Sequence, residues 1–236
     1  MPENNYRVVI DAGHGGKEPG ATWYNLKESD INLSIAKRAA ARLSLQNVTS
    51  ILTRNSDEYL SIDARPAKAN AINADLFVSI HCNAFNETSH GTEVVTYLTP
   101  TAEDDRLSTA ILNQLIKAIG TTNRGIKRQD IGVCRGAIMP SCLVECAFLS
   151  NPKEAELLAS SEGQEVIAEA IAKGICEYLG LLYEPAGVTV YVDGRRVDYE
   201  ARLIDGKTFV HVRFAEAVGY DVTWEGATAS VMLNKK

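Results

Sequence analysis

Arg7-Val8-Val9-Ile10-Asp11-Ala12-Gly13-His14-Gly15-Gly16 is the stretch from which the architecture can be read. The branched apolar run Val8-Val9-Ile10 is that of a strand covered on both faces, the kind that fills the interior of a parallel sheet. It breaks into a glycine turn carrying His14, one of four histidines in the chain. In an open α/β sheet the loops leaving the carboxyl ends of the strands form the ligand crevice, and flanking glycines let the backbone approach closely. A second run, Leu76-Phe77-Val78-Ser79-Ile80-His81-Cys82-Asn83, ends an equally apolar strand on His81. Two strands thus deliver an imidazole to what should be the same sheet edge, as a metal site requires.

Strand and helix patterns alternate outward from these runs. Glu28 to Leu45 predicts a helix, with Ile31, Ile35, Ala39 and Leu43 at helical spacing, after a loop from Gly20 to Lys27. Thr49 to Thr53 predicts a strand, and Ile62 to Ala74 a helix with Pro66 at or near its first turn. Thr92 to Leu98 alternates as a strand, and Asp104 to Ile119 is an amphipathic helix. Cys142 to Phe148 is an apolar strand interrupted by Glu145, and Pro152 to Leu158 and Glu162 to Leu179 close the domain as helices. The expected fold is α/β: a twisted, mixed, mostly parallel sheet with helices on both faces, over residues 1–183.

The Pro- and Gly-bearing segment Leu181 to Gly187 marks a boundary. Beyond it, 188–236 predicts a small α+β module: strand-like runs Val188 to Val192, Arg196 to Tyr199, Thr208 to Val212 and Asp221 to Trp224, with a helix-like Arg213 to Val218. About 50 residues is near the limit for independent folding, so this module should lean on the first domain or on a copy of itself.

With 236 residues, 45% hydrophobic and 23% charged, the composition is that of a globular protein. A net charge of −6 argues against nucleic acid and anionic lipid as partners, and no segment has the ~20 apolar residues of a membrane span. The five cysteines, Cys82, Cys134, Cys142, Cys146 and Cys176, include no Cys-x-x-Cys pair and read as reduced structural thiols.

Zinc hydrolases hold their ion with three protein ligands and keep the fourth position for water. Glu28, at a helix start beside the His14 turn, is the favoured third ligand, with Glu18 and Asp30 as competing carboxylates that spacing does not exclude. Glu145 is the second anomaly: ionised and buried without a partner it would be costly, unless it faces a metal-filled crevice or stays protonated. A carboxylate beside a zinc site is the usual proton shuttle of metal-assisted amide hydrolysis.

Asp11-Ala12-Gly13-His14-Gly15-Gly16, Lys27-Glu28-Ser29-Asp30-Ile31-Asn32-Leu33, Ser79-Ile80-His81-Cys82-Asn83-Ala84 and Leu143-Val144-Glu145-Cys146-Ala147-Phe148-Leu149-Ser150-Asn151 together resemble the zinc-dependent N-acetylmuramoyl-L-alanine amidases of bacterial and phage cell-wall lysis. The motifs stand in the family's order over about three quarters of the chain. The resemblance implies one zinc ion on His14, Glu28 and His81, Glu145 as the catalytic carboxylate, and peptidoglycan as substrate, cut between N-acetylmuramic acid and L-alanine. Asn123-Arg124-Gly125-Ile126-Lys127 also resembles the family, with Arg124, Arg135 and Asn83 as candidate substrate-binding residues. Cys82 departs from the family's small residue but, as a strand neighbour of His81, should face away from the metal, as Cys146 should from Glu145's side.

The tail, with Val190 to Arg196, Asp205 to Arg213 and Ala217 to Trp224, resembles the small domain named after the amino-terminal part of copper amine oxidases, a name that implies no copper here. In a lytic enzyme it would bind cell wall or pair two copies as a homodimer, with Tyr191, Tyr199, Tyr220 and Trp224 available to stack on sugars. The start, Met1 to Arg7, shows no secretory signal. Synthesis in the cytoplasm, with action on the wall after holin-type or lysis-dependent release, is therefore expected of a phage or prophage endolysin. A host sporulation or autolytic amidase is the close alternative, and a non-catalytic peptidoglycan-binding protein the alternative of another class. His90 and His211 read as ordinary polar residues, and the glycine cluster lacks the ending of a phosphate loop.

Overall fold

The computed structural model describes residues 6–185 in full and, beyond them, only the backbone of six short strands. The chain forms two compact units, Met1–Tyr183 and Glu184–Lys236. In the first, six strands make one sheet: β1 (Arg7–Ala12), β4 (Thr49–Leu52), β5 (Leu76–Asn83), β6 (Thr92–Thr96), β7 (Asn123–Arg128) and β8 (Ser141–Phe148), in the order β4-β1-β5-β8-β6-β7. Every neighbouring pair is parallel except β6 with β8. This is the mixed, mostly parallel sheet the alternating pattern predicts.

The period-2 alternation of side chains divides the sheet into two unequal faces. Even-numbered residues, among them Val8, Ile10, Val78, Ile80, Cys82, Val144 and Cys146, enter the larger core. The helices α1 (Glu28–Ser44), α3 (Ala102–Ile119) and α6 (Ser161–Leu179) cover it. Ile35 and Leu43 of α1 are completely buried there, each contributing about 1.5–3 kcal/mol relative to exposure. Odd-numbered residues Val9, Phe77 and Leu143 enter a smaller core under α2 (Ala64–Ala71) and α4 (Gly132–Arg135). Two short helices do not cover that whole face, and the odd-numbered His81 and Glu145 lie on it past Phe77 and Leu143.

Helix ends follow local chemistry. Thr101 and Asp104 form a capping box at α3, and Asn151 caps α5 (Pro152–Ala159) with Pro152 in its first turn. Helix α2 is shorter than the predicted 62–74: it starts at Ala64, which leaves Pro66, lacking an N–H, in the first turn where no helical bond is lost, and it ends at Ala71, before Asn73 at a φ of 48°. The predicted loop from Gly20 to Lys27 contains a small hairpin, β2 (Thr22–Trp23) with β3 (Leu26–Lys27), turning through Tyr24 and Asn25, both at positive φ. Strand β7 was not predicted, since Asn123, Gly125 and its charged residues mask the alternation.

In the second unit the strands β9 (Val190–Val192), β10 (Arg195–Val197), β13 (Tyr220–Glu225) and β14 (Ser230–Lys235) form a sheet ordered β10-β9-β14-β13, and β11 (Ala201–Ile204) pairs with β12 (Lys207–Val210). The predicted helix Arg213 to Val218, together with Tyr199 and His211, lies outside the described residues. Among the described residues no helix is long and apolar enough to cross a membrane.

Candidate metal centre

The turn after β1 carries His14 at a φ of 61°, with Gly15 at 125° and Gly16 at 59°. A non-glycine residue in this region persists only when its surroundings over-determine it. Two buried arginines do so. Arg54 donates from Nε to the Ala12 carbonyl (2.9 Å) and from Nη2 to the carbonyls of Gly13 (3.0 Å) and Ser29 (2.7 Å). Arg65 donates from Nη1 to Asp11 Oδ1 (2.9 Å) and the Ala12 carbonyl (2.7 Å), and from Nη2 to the His14 carbonyl (2.9 Å). Asp11 also accepts from the hydroxyls of Thr53 and Ser79, each at 2.6 Å.

Glu28 opens α1 where Lys27 is extended and offers no side-chain cap; a carboxylate in the first turn suits the helix dipole. Its Oε1 lies 2.9 Å from His81 Nδ1 and its Oε2 3.2 Å from His14 Nε2. The same carboxylate accepts from the amides of Ala21 (2.9 Å) and Cys82 (3.2 Å) and from Asn32 Nδ2 (3.3 Å). Burial alone would raise the Glu28 carboxyl, but hydrogen bonds from both imidazoles and their charge outweigh it and hold the group below the usual carboxylate range. His81 is shifted upward: burial opposes its charged form, and the Glu28 hydrogen bond and the Glu145 charge overcome that.

One ligand atom from each of His14, Glu28 and His81 lies within 4.8 Å of the others. The competing carboxylates Glu18 and Asp30 are exposed and outside this group. Convergence depends on two glycines. A Cβ at Gly13 would overlap the His81 ring, and one at Gly20 (φ 69°) would stand 2.5 Å from Glu28 Oε2 and 2.7 Å from His14 Cδ2. Two imidazoles and one carboxylate brought together in this way fit the donor set of a catalytic zinc site.

Glu145 is beside them. It pairs in register with His81 on β5 and with Glu93 on β6, so His81, Glu145 and Glu93 form one row across three strands. Glu145 Oε2 is buried and has no hydrogen-bond partner among the described residues. Burial pushes its carboxyl up to about 7; His81 pulls it down, while the charges of Glu28 and Glu93 push it further up. Cys82 and Cys146 point into the larger core, away from this row, as the strand alternation predicts. All five cysteines are free and buried.

Of the candidate substrate-binding residues, Asn83 and Arg124 flank the row. Glu93, which sequence reasoning missed, joins them: its Oε1 accepts from Asn83 Nδ2 (3.0 Å) and its Oε2 from Arg124 Nε (2.6 Å). The structure does not bring Arg135 to this group. Arg135 pairs with Asp130 at 2.8 Å and lines a separate cleft with Tyr97, Asp104 and Ser141, at the amino end of β8. Helix α4 is seated there by its two ends, Gly132 beside Ile62 and the C-cap Gly136 beside Pro66.

The sequence profile of the N-acetylmuramoyl-L-alanine amidases matches residues 8–177. The chain is 37% identical over 186 residues to an endolysin of Bacillus phage SPP1, covering 76% of this chain and 68% of that protein. It is 35% identical over 173 residues to a sporulation-specific N-acetylmuramoyl-L-alanine amidase of Bacillus subtilis, covering 72% and 66%. The crystal structure of an N-acetylmuramoyl-L-alanine amidase from Clostridium difficile 630 superposes with a TM-score of 0.73 at 35% identity, covering 75% of this chain and 98% of that one. Profile, relatives and fold agree that the chain belongs to the N-acetylmuramoyl-L-alanine amidase family, enzymes that act on peptidoglycan.

Proposed function

We propose that the chain is a zinc-dependent endolysin that hydrolyses the amide between the lactyl group of N-acetylmuramic acid and the L-alanine of the stem peptide. The observation that carries this reading is the buried, unpartnered Glu145 Oε2 next to the three converging donors His14, Glu28 and His81. Those three residues would hold the ion, and zinc supplies Lewis acidity toward a carbonyl and toward water. Glu145 takes a proton from the water that attacks the scissile carbonyl. When the C–N bond breaks it returns one to the leaving amine, so a carboxylic acid and a free α-amino group result. The Arg54 and Arg65 hydrogen bonds keep His14 on its turn, and Asn32 and the Cys82 amide keep Glu28 aimed at both imidazoles.

The endolysin of Bacillus phage SPP1 supports a phage or prophage role; in that role the enzyme would reach the wall after release from the cytoplasm. The sporulation-specific relative supports the second reading, a host sporulation or autolytic amidase. A wall-binding protein without catalysis is disfavoured by the presence of all four site residues. The second unit, in this reading, binds cell wall or pairs two copies.

Purified protein incubated with cell walls should release amino groups and no reducing sugars, stop with a chelator and restart with zinc. Released reducing ends, or chelator-resistant release, would contradict the reading. Lysis of producing cells only when the membrane is permeabilised supports action on the wall after release, in either role, and lysis without permeabilisation would contradict that route. Deletion after Glu184 separates the tail's two roles: lost wall binding supports targeting, a halved solution mass dimerisation.

A further inference from the structure

We propose that Glu93 is a positioning residue that holds the Arg124 guanidinium at the end of the His81–Glu145–Glu93 row, so that its free edge binds a carboxylate of the stem peptide. The inference rests on the amidase reading of the site and adds a specificity element to it. Glu93 stands directly opposite Glu145 on the neighbouring strand, where facing Cβ atoms are about 4.5–5.5 Å apart. Its side chain is 8% exposed, and both oxygens are used, one on Asn83 and one on Arg124.

Arg124 is held on three further sides. Its guanidinium lies over the Phe148 ring, 4.8 Å from the centroid. Its stem runs along Gly91, whose φ of 110° and missing side chain make the room: a Cβ there would stand 2.9 Å from Arg124 Cγ. Nη1 makes a long contact of 3.3 Å to the His90 carbonyl. The Nε side is therefore committed to Glu93, while Nη2 has no partner among the described residues and the side chain is 37% exposed. A guanidinium fixed in its plane with one edge open is the geometry that receives a carboxylate bidentately. Surface ion pairs of long side chains are usually too mobile for this, and Glu93, the ring and the glycine remove that mobility.

A purely structural pairing, in which Arg124 only neutralises Glu93, would leave substrate preference untouched. The test uses the full chain and two probes: an N-acetylmuramoyl tripeptide with free carboxylates, and the same peptide with those carboxylates amidated. Hydrolysis is measured with wild type, Glu93→Gln, Arg124→Gln and Arg124→Lys. Binding is measured by calorimetry on the Glu145→Gln background, alone and combined with Arg124→Gln. Wild type should favour the acidic probe about tenfold in kcat/KM, through KM. Arg124→Gln should abolish that preference by raising KM for the acidic probe alone. Glu93→Gln should reduce it through a higher KM for the acidic probe, and Arg124→Lys, which retains the charge without the fork, should be intermediate. Equal use of both probes by wild type, or a loss in the variants that falls equally on both, would overturn the proposal. Failure of wild type to cleave either probe would instead overturn the amidase reading, while an acid-over-amide ratio in the calorimetry that Arg124→Gln removes would still uphold the Arg124 site.

Discussion

Gly20→Ala should injure the metal site selectively, and the structure supplies its own control. Gly20 and Gly120 have nearly the same backbone, φ 69° and 66°, but a Cβ at Gly20 meets Glu28 and His14 whereas one at Gly120 meets nothing within 4 Å. Each alanine incurs the left-handed penalty of about 1–2 kcal/mol. Gly20→Ala adds an overpacking cost of about 1–3 kcal/mol, about 2–5 kcal/mol in all. At about 2–4 °C per kcal/mol for a chain of this size, Gly120→Ala should melt about 2–8 °C below wild type in chelator and Gly20→Ala lower still. Zinc at a hundred times its Kd should then add about 2.7 kcal/mol to wild type and to Gly120→Ala alike. A site weakened a hundredfold keeps only about 0.4 kcal/mol of that increment, and this is expected of Gly20→Ala because two donors must move. Thermal melts with chelator and with zinc, together with metal content by atomic absorption, read both quantities. A full zinc increment in Gly20→Ala would refute the reasoning that these glycines exist to let the donors converge.

Arg65→Ala should cost about 3–5 kcal/mol in urea denaturation under chelator, because it leaves the buried Asp11 without its cation; a loss below about 1 kcal/mol would show that Arg65 does not hold the His14 turn. Glu165 bridges Arg38 and Arg42 at 2.5 and 2.7 Å, and although burial pushes its carboxyl up, those hydrogen bonds hold it below the usual range. A lowered folded pKa gives stability that is present above the unfolded pKa of about 4.3 and lost as pH falls through the folded value. Glu165→Gln should therefore cost about 0.5–1 kcal/mol at pH 7, for a partly exposed pair, with the difference shrinking toward pH 3. An equal difference at both pH values would contradict the assignment. Burial pushes the thiols of Cys134 up to about 12 and Cys176 up to about 11, and Cys142 is raised as well. A thiol reagent should accordingly label the native protein far more slowly than the unfolded one, and fast native labelling would place a thiol at the surface.

The sheet and its histidines were legible because apolar runs that end on His14 and His81 carry their own pattern, with no long-range information needed. Glu145 was legible for the same reason, as one carboxylate in an apolar strand. Glu28 was not separable from Glu18 and Asp30 by spacing, since which of three nearby carboxylates turns inward depends on the β2–β3 hairpin and the start of α1. Glu93 was hidden in Thr92-Glu93-Val94-Val95-Thr96, where an alternating strand gives an outward glutamate and an inward one the same pattern. Arg54 and Arg65 were hidden because arginine is seldom buried and most of their acceptors are backbone carbonyls, which carry no sequence signal. Arg135 was misplaced because a basic residue near a family motif says nothing about which end of β8 it occupies.

Glu145→Gln tests the central claim most directly, because it keeps the side chain's shape and removes only its ability to take a proton. The variant should fold, bind zinc with wild-type stoichiometry, and release amino groups from cell walls at a rate lower by a factor of about 10² or more. Wall hydrolysis at an undiminished rate, with zinc still bound, would contradict the assignment of Glu145 and with it the account of the site.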